Sequence, residues 1–575
     1  MESHFDLRTD ARHVHVSCVE REEEVQMRKE SIKAYKDSIR IRLSGVPDQT
    51  PMTVSCRVPL VCGPEDPTFV PGREIVRFQT VIKEGKGSIP RFAGEYDLLL
   101  CRFEIEGAEG VSYVTEVDDS VPRLLAPFPK LPIKAIDSGA LEEDWEELGF
   151  RQTGFGPNQA GLMVSKDGED AIPYVYNGRT YYFNKSTVEA CDERLAPLAA
   201  RGVTAVMRYI SSSFFLGERA DQAIVDIIQH PGYDYDFPSA YMGAFNLRTE
   251  EGFEYFAACT DFLLNRYTMP DRRYGWATSF EVGNEVTSQY IWGNAGEMTC
   301  AEYMKEYTEV MRICWLLSQK YWNNFRIYTS FDQYFCGSHM PDKPKRFYGM
   351  RESLDEILKN CARDGDFPWN VAFHPYPENL SYPDFWNDRS PNWTFETARI
   401  TFKNLEVMPA YLAQPKFLYH GEPRRIILPE QGFNSRPEAP YTLDQAKYAY
   451  VLAYQKMKKL GTIDLFLHHN YVDNPYEFGL NLGIRYCAAM PDGTLGPGER
   501  KPICDAIAAM DTPREKNWVA AARAYIGEDI FDYLLDPPEV VTAVDHSADG
   551  LTMPGQGNRK KGQDKEEKPV ENFEK

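Results

Sequence analysis

Residues 277–286 read ATSFEVGNEV, and residues 424–432 read RRIILPEQG. Each is a short apolar run that ends in polar residues and a carboxylate. The first closes on Gly283-Asn284-Glu285 and the second on Pro429-Glu430-Gln431. Apolar runs of this length are strands buried on both faces. Their surroundings decide what sheet they belong to.

Outward from these runs, strand-like and helix-like segments alternate. Counting from 151–155 (RQTGF), the strands are 204–210 (TAVMRYI), 241–246 (YMGAFN), 277–285, 325–331 (FRIYTSF), 369–376 (WNVAFHPY), 424–431 and 462–470 (TIDLFLHHN). Helices are predicted between most of them. Phe253, Phe256, Ala257 and Leu264 share one face of the helix after the third strand. Capping boxes are predicted at Ser186/Glu189, Thr299/Glu302 and Thr442/Gln445. Asn177-Gly178, inside IPYVYNGRTYYF, suits a type I′ hairpin turn. Repeated β-then-α units imply a parallel sheet. Eight of them over about 400 residues imply the α/β class and a closed (β/α)8 TIM barrel. No G-x-G-x-x-G follows the first strand, which argues against an open dinucleotide-binding sheet.

Residues 1–130 are expected to hold a small antiparallel β module and a linker. Val54, Cys56, Val58, Leu60 and Cys62 alternate there, and EIVRFQTVI and YDLLLCRFEIEG follow. The Pro-rich stretch 121–133 reads as the linker. The barrel is assigned to 131–545, and 546–575 to a polar, charged, disordered tail.

The chain has 575 residues and a net charge of −22. So acidic a surface repels phosphate backbones, and nucleic acid is not an expected partner. No apolar run is long enough to span a membrane. The N-terminus lacks the basic-then-apolar pattern of a secretory signal, so the cytoplasm is the expected location. Twelve scattered cysteines without a C-x-x-C pair read as reduced thiols.

Barrel enzymes carry their reactive groups at the C-terminal ends of strands. Strands four and seven end in Glu285 and Glu430, on opposite sides of an eight-stranded ring. Their carboxyls can face each other across its mouth, as the glycosidic bond requires: a proton for its leaving oxygen and a nucleophile or base on the other face. SFEVGNE resembles the acid/base strand of clan A glycoside hydrolases, in which Asn directly precedes the acid/base Glu and a second Glu ends strand seven. A bacterial glycosidase-like family stands nearest within or beside that clan. The resemblance implies a retaining enzyme with Glu285 as acid/base, Glu430 as nucleophile and Asn284 as a contact to the sugar 2-hydroxyl. Gly283 and Val286 depart from the usual Trp and Pro, and Gly283 is expected to open space beside the acid/base.

Further strand ends supply candidate sugar contacts: Arg208, Asn246, Gln333 beside Asp332, His374, Tyr376, and His468, His469 and Asn470, with Trp292 and Trp386 as stacking aromatics. For each, the ordinary alternative is a loop hydrogen bond, an ion pair or packing. Glu281 shares the inward parity of Glu285 one layer deeper and is expected to pair with an arginine such as Arg208. There is no H-E-x-x-H, P-loop or G-x-S-x-G, and neither metal nor cofactor is expected. A non-catalytic carbohydrate-binding barrel, a lyase and a transglycosylase using the same glutamates are the competing readings.

Overall fold

The computed structural model describes residues 26–61 and 72–542. The expected tail at 546–575 and Cys62 lie outside them. A closed barrel of eight parallel strands forms the centre. Its strands, in order around the ring, are Lys134–Asp137, Gln152–Phe155, Thr204–Tyr209, Ala277–Val282, Arg326–Tyr328, Trp369–Ala372, Ile426–Leu428 and Ile463–His468. The last pairs with the first, Ala135 opposite Leu467. Inside, Ala135, Val206, Tyr328, Ala372, Ile427, Leu465 and Leu467 pack together. Side chains thus fill the bore, as expected of an eight-stranded barrel.

Two strand assignments change. The first barrel strand is Lys134–Asp137, which the Pro-rich approach disguises as the end of the linker. Residues 241–246 are not a barrel strand. They make only isolated bridges, such as Ser211 to Gly243 and Gln229 to Phe245. Arg208 therefore ends the third strand and not the second, while strands four to eight keep their places.

The helix Glu250–Tyr267 buries Phe253, Phe256, Ala257 and Leu264. Thr299 and Glu302 form the expected capping box on Cys300–Ser318. The other two boxes do not form. Asn184, not Ser186, caps Lys185–Ala200 by accepting from the Thr187 amide. Thr442 lies within Tyr441–Leu460 and donates to the Ala439 carbonyl. Asn177 and Gly178 both take positive φ, so the hairpin turns as its sequence predicts. Beyond the eighth strand come a hairpin, Arg485–Ala489 with Leu495–Arg500, and helices Ile503–Ala509, Glu515–Ile526 and Glu528–Leu535.

The N-terminal module starts earlier than its alternation indicates. Arg28–Ala34 and Ser38–Ser44 are strands, and the first also pairs in parallel with Glu109–Gly110 and Glu116–Val117, so the module is mixed rather than antiparallel. The linker is folded onto the barrel. Phe128 stacks on Trp322 at 5.9 Å, and the Arg326 guanidinium lies 3.5 Å from the Phe128 ring centre. Among the described residues, no helix is long and apolar enough to cross a membrane, and the ten described cysteines are unbridged.

Candidate active site

The strand ends converge on one cluster of charged groups. Parity explains the choice of residues: Arg208 follows Val206, and His374 follows Ala372, each two residues beyond an inward side chain. Arg208 and Glu281 are direct neighbours across the third and fourth strands. Arg208 Nε donates to Glu281 (2.9 Å), its Nη1 lies 2.8 Å from Glu430, and its Nη2 donates to the Pro429 carbonyl (3.0 Å). One guanidinium thus ties the fourth strand to the seventh. The Tyr376 hydroxyl donates to Glu430 at 3.1 Å.

His374 is fully buried between carboxylates. Nε2 sits 3.0 Å from Glu281 and Nδ1 sits 2.9 Å from Glu285, with Glu430 3.9 Å from Nδ1. Ser330 Oγ donates to Glu281 (2.7 Å) and accepts from the Glu285 amide (3.1 Å). Oxygens of Glu285 and Glu430 and a nitrogen of His374 all lie within 4.8 Å of one another.

The charges follow from this arrangement. Burial works against the charged form of Glu430, but the Arg208 guanidinium, with His374 and His469, overcomes it and holds the carboxyl down at about 2. Burial likewise opposes ionisation of Glu281, and Arg208 and His374 reverse it. Burial alone would neutralise His374. The surrounding carboxylates, Glu430 foremost, instead raise it to about 10. An imidazole with a carboxylate at each nitrogen is a double donor. That bears on metal binding: the three residues are close enough to hold an ion, but Nδ1 would have to surrender the proton directed at Glu285. The cluster fits protons better than a cation. Asp332 is pushed up to about 7 by burial and then by the Glu285 charge.

Backbone conformation sets the turn that carries Glu285. Gly283 has φ +78°, a left-handed value, and Glu285 itself has φ +37°. Glycine is therefore required at 283 by its dihedral, and also by space, because a Cβ there would lie 2.8 Å from the Val286 side chain. The left-handed conformation of Glu285 stores about 1–3 kcal/mol of strain, as side chains at functional turns often do.

The expected site residues divide. Glu285, Glu430, Arg208, His374 and Tyr376 meet at the mouth. Asn284 and Gln333 are buried, and among the described residues Asn284 Oδ1 and Gln333 Oε1 have no hydrogen-bond partner, as also holds for Gln431 Oε1. These acceptors stand ready for a ligand's donors. Asn470 donates to Glu477 at 2.6 Å, and Trp292 packs on Tyr241 at 5.1 Å. Three residues are drawn elsewhere. Asn246 braces its own loop, donating to the Ile227 carbonyl and to Thr249. Trp386 is buried against Phe385. His468 points into the core beside Phe433 and Tyr450, where burial drops it to about 3.

The histidine facing the site is His469, which is 2.7 Å from Glu477 and is raised to about 9 by its carboxylates, Glu430 first, against burial. It shares the inward parity of Leu465 and Leu467, which separates it from His468. Asp137, ending the first strand, also belongs here. Burial raises its pKa, and His469, Arg208 and Glu430 are its charged neighbours. It went unseen because its strand did.

Fold and site together define a (β/α)8 barrel with two opposed carboxylates at the C-terminal ends of strands four and seven. The chain belongs to the family of unknown function DUF5722, whose sequence profile matches residues 132–533. No curated protein matches it. Solved structures similar to it are glycoside hydrolases. One is a family 39 glycoside hydrolase from the gut symbiont Bacteroides cellulosilyticus WH2, at 11% identity and TM-score 0.41, covering 84% of this chain and 81% of that one. Another is the family 1 β-glucosidase from Thermotoga maritima, at 10% identity and TM-score 0.37, covering 64% and 84%. A third is the hyperthermophilic β-glucosidase from Pyrococcus furiosus, at 14% identity and TM-score 0.39, covering 68% and 85%.

Proposed function

We propose that the protein is a retaining glycoside hydrolase acting on a carbohydrate substrate. One observation carries this reading: one carboxyl oxygen of Glu285 and one of Glu430 lie within 4.8 Å of each other, a close approach that favours the shorter, retaining spacing. Retaining enzymes hold their two carboxyls about 5–5.5 Å apart, whereas inverting enzymes need about 6.5–9.5 Å to admit a water.

In the proposed reaction Glu430 attacks the anomeric carbon, and Arg208 keeps it ionised for that step. The leaving oxygen needs a proton. His374 Nδ1, 2.9 Å from Glu285, directs one at that carboxylate and passes it on. Glu285 delivers this proton to the leaving oxygen, and the bond from that oxygen to the anomeric carbon breaks. Glu285 then takes a proton from the incoming water, which releases the sugar from Glu430. Asn284 Oδ1, buried without a partner, is the acceptor for a sugar hydroxyl.

The test is release of aryl leaving groups from a panel of activated aryl glycosides. Glu430→Ala is expected to abolish release. Azide is expected to rescue Glu285→Ala and give an azide adduct of retained configuration. If a glycoside is cleaved and both variants keep near-native rates, the two glutamates are structural and the reading fails. Products longer than the donor would identify a transglycosylase with the same machinery.

A further inference from the structure

Most aromatics in the loops around the mouth are buried, among them Tyr290, Phe335, Phe385 and Trp386. Others are exposed: Tyr235, Tyr476 and Phe478, and the adjacent pair Phe214 and Phe215, which follow the third barrel strand and stand 51% and 49% exposed. That pair continues a row of rings. Phe214 meets Tyr241 edge-on at 4.9 Å, Phe215 lies parallel to Tyr241 at 6.2 Å, and Tyr241 contacts Trp292 at 5.1 Å. The row forms a ledge that ends on the segment following Glu285.

The ledge is held in place. Ser212 Oγ donates to the Tyr241 carbonyl (2.5 Å). The Ser212 amide and carbonyl both pair with the Asn158 carboxamide. The Tyr241 amide donates to the Ile291 carbonyl (2.9 Å). A cavity of about 30 Å³ lined by Ser211, Met242, Gly283, Val286 and Trp292 separates it from the acid/base turn. Exposed rings on so fixed a backbone lose little freedom when a ligand covers them. Their flat apolar faces match the C–H faces of sugar rings, and through Trp292 the row reaches the short helix Gln289–Trp292 that follows Glu285.

We propose that Phe214, Phe215, Tyr241 and Trp292 form a subsite for further sugar rings of an oligosaccharide, on the leaving-group side of the bond. Only the term leaving-group rests on the glycosidase reading. The sugar contact itself needs no turnover.

The test uses the full chain carrying Glu285→Gln, which cannot protonate a leaving group. Calorimetric titration measures its affinity for linear oligosaccharides of increasing length from cellulose, xylan and arabinan. Affinity is expected to rise by about tenfold once a chain is long enough to reach the ledge. Adding Phe214→Ala and Phe215→Ala should remove that rise, and Phe214→Tyr with Phe215→Tyr should restore it. A length-dependent rise that survives the alanine pair overturns the proposal, and so does its absence for every oligosaccharide. Aryl glycoside hydrolysis by the native chain separates the two claims. Hydrolysis without length-dependent binding sinks the ledge alone, and length-dependent binding without hydrolysis sinks the glycosidase reading alone.

Discussion

Arg208 and His374 are two of the cations among the glutamates, and each bears on a different part of the proposed chemistry. Arg208 bridges Glu281 and Glu430. Replacing it by Met leaves two buried carboxylates without their countercharge, at a cost of about 3–5 kcal/mol. It also removes the main force that holds Glu430 down, so the acid limb of kcat/KM should move to higher pH. Denaturant titration and a pH–rate profile check both effects, and an unmoved acid limb would show that Arg208 does not set the charge of Glu430. His374 acts with the opposite sign. Its folded pKa, about 10, exceeds the unfolded value of about 6.5. Its stabilisation is complete below the unfolded value and is lost as pH rises through the folded one. The melting temperature should therefore fall by a few degrees, as an order of magnitude, between neutral pH and pH 10. His374→Gln should flatten most of that slope. His469 retains the remainder, because it too is raised, to about 9.

At the scale of elements, the turn from Gly283 to Glu285 matters most. An alanine at 283 would be forced into a left-handed conformation costing about 1–2 kcal/mol. Its Cβ would also lie 2.8 Å from the Val286 side chain. Gly283→Ala should thus lower both stability and kcat, with a smaller effect on KM, because it displaces Glu285 more than any sugar contact. An unchanged kcat would mean that the turn does not position Glu285. This turn also shows what the sequence could convey. Asn284-Glu285 and Glu430 are legible because each sits where an apolar run stops, and strand position needs no further information. The ring order was legible despite two local errors that compensate. Lys134–Asp137 is four residues long behind a Pro-rich approach, too short for periodicity to register. Residues 241–246 look like a strand by composition, yet their hydrogen bonds go to single bridges with neighbouring loops. Convergence was not legible. Nothing local tells that Arg208 reaches across to the seventh strand, or that His374 stands between Glu281 and Glu285, because those contacts join residues 73 to 222 positions apart.

At the scale of the whole molecule, the N-terminal module is not an independent attachment. Its apolar residues, from Ile32 and Val54 to Phe103 and Val114, belong to the same continuous core as the barrel helices. Tyr113 of the module is buried beneath the Arg312 guanidinium, whose carbon lies 5.0 Å from the ring centre. The Ser112 amide donates to the Asp364 carbonyl, the Val61 amide to the Leu247 carbonyl, and Arg73 pairs with Glu250. The module therefore covers the ends and flanks of three barrel helices and shares an apolar core with them. A chain beginning at residue 119 would expose that surface to water at about 25 cal/mol per Å², and it would leave Arg312 buried without the Tyr113 face. Its barrel is expected to be insoluble or to melt below the full chain, by about a few degrees given several kcal/mol of lost burial. In the full chain, circular dichroism of the module's strands and fluorescence of the barrel tryptophans should lose signal in one coincident transition. Two separate transitions, or a truncated barrel as stable as the whole, would make the module a separable domain and leave the shared core without energetic weight.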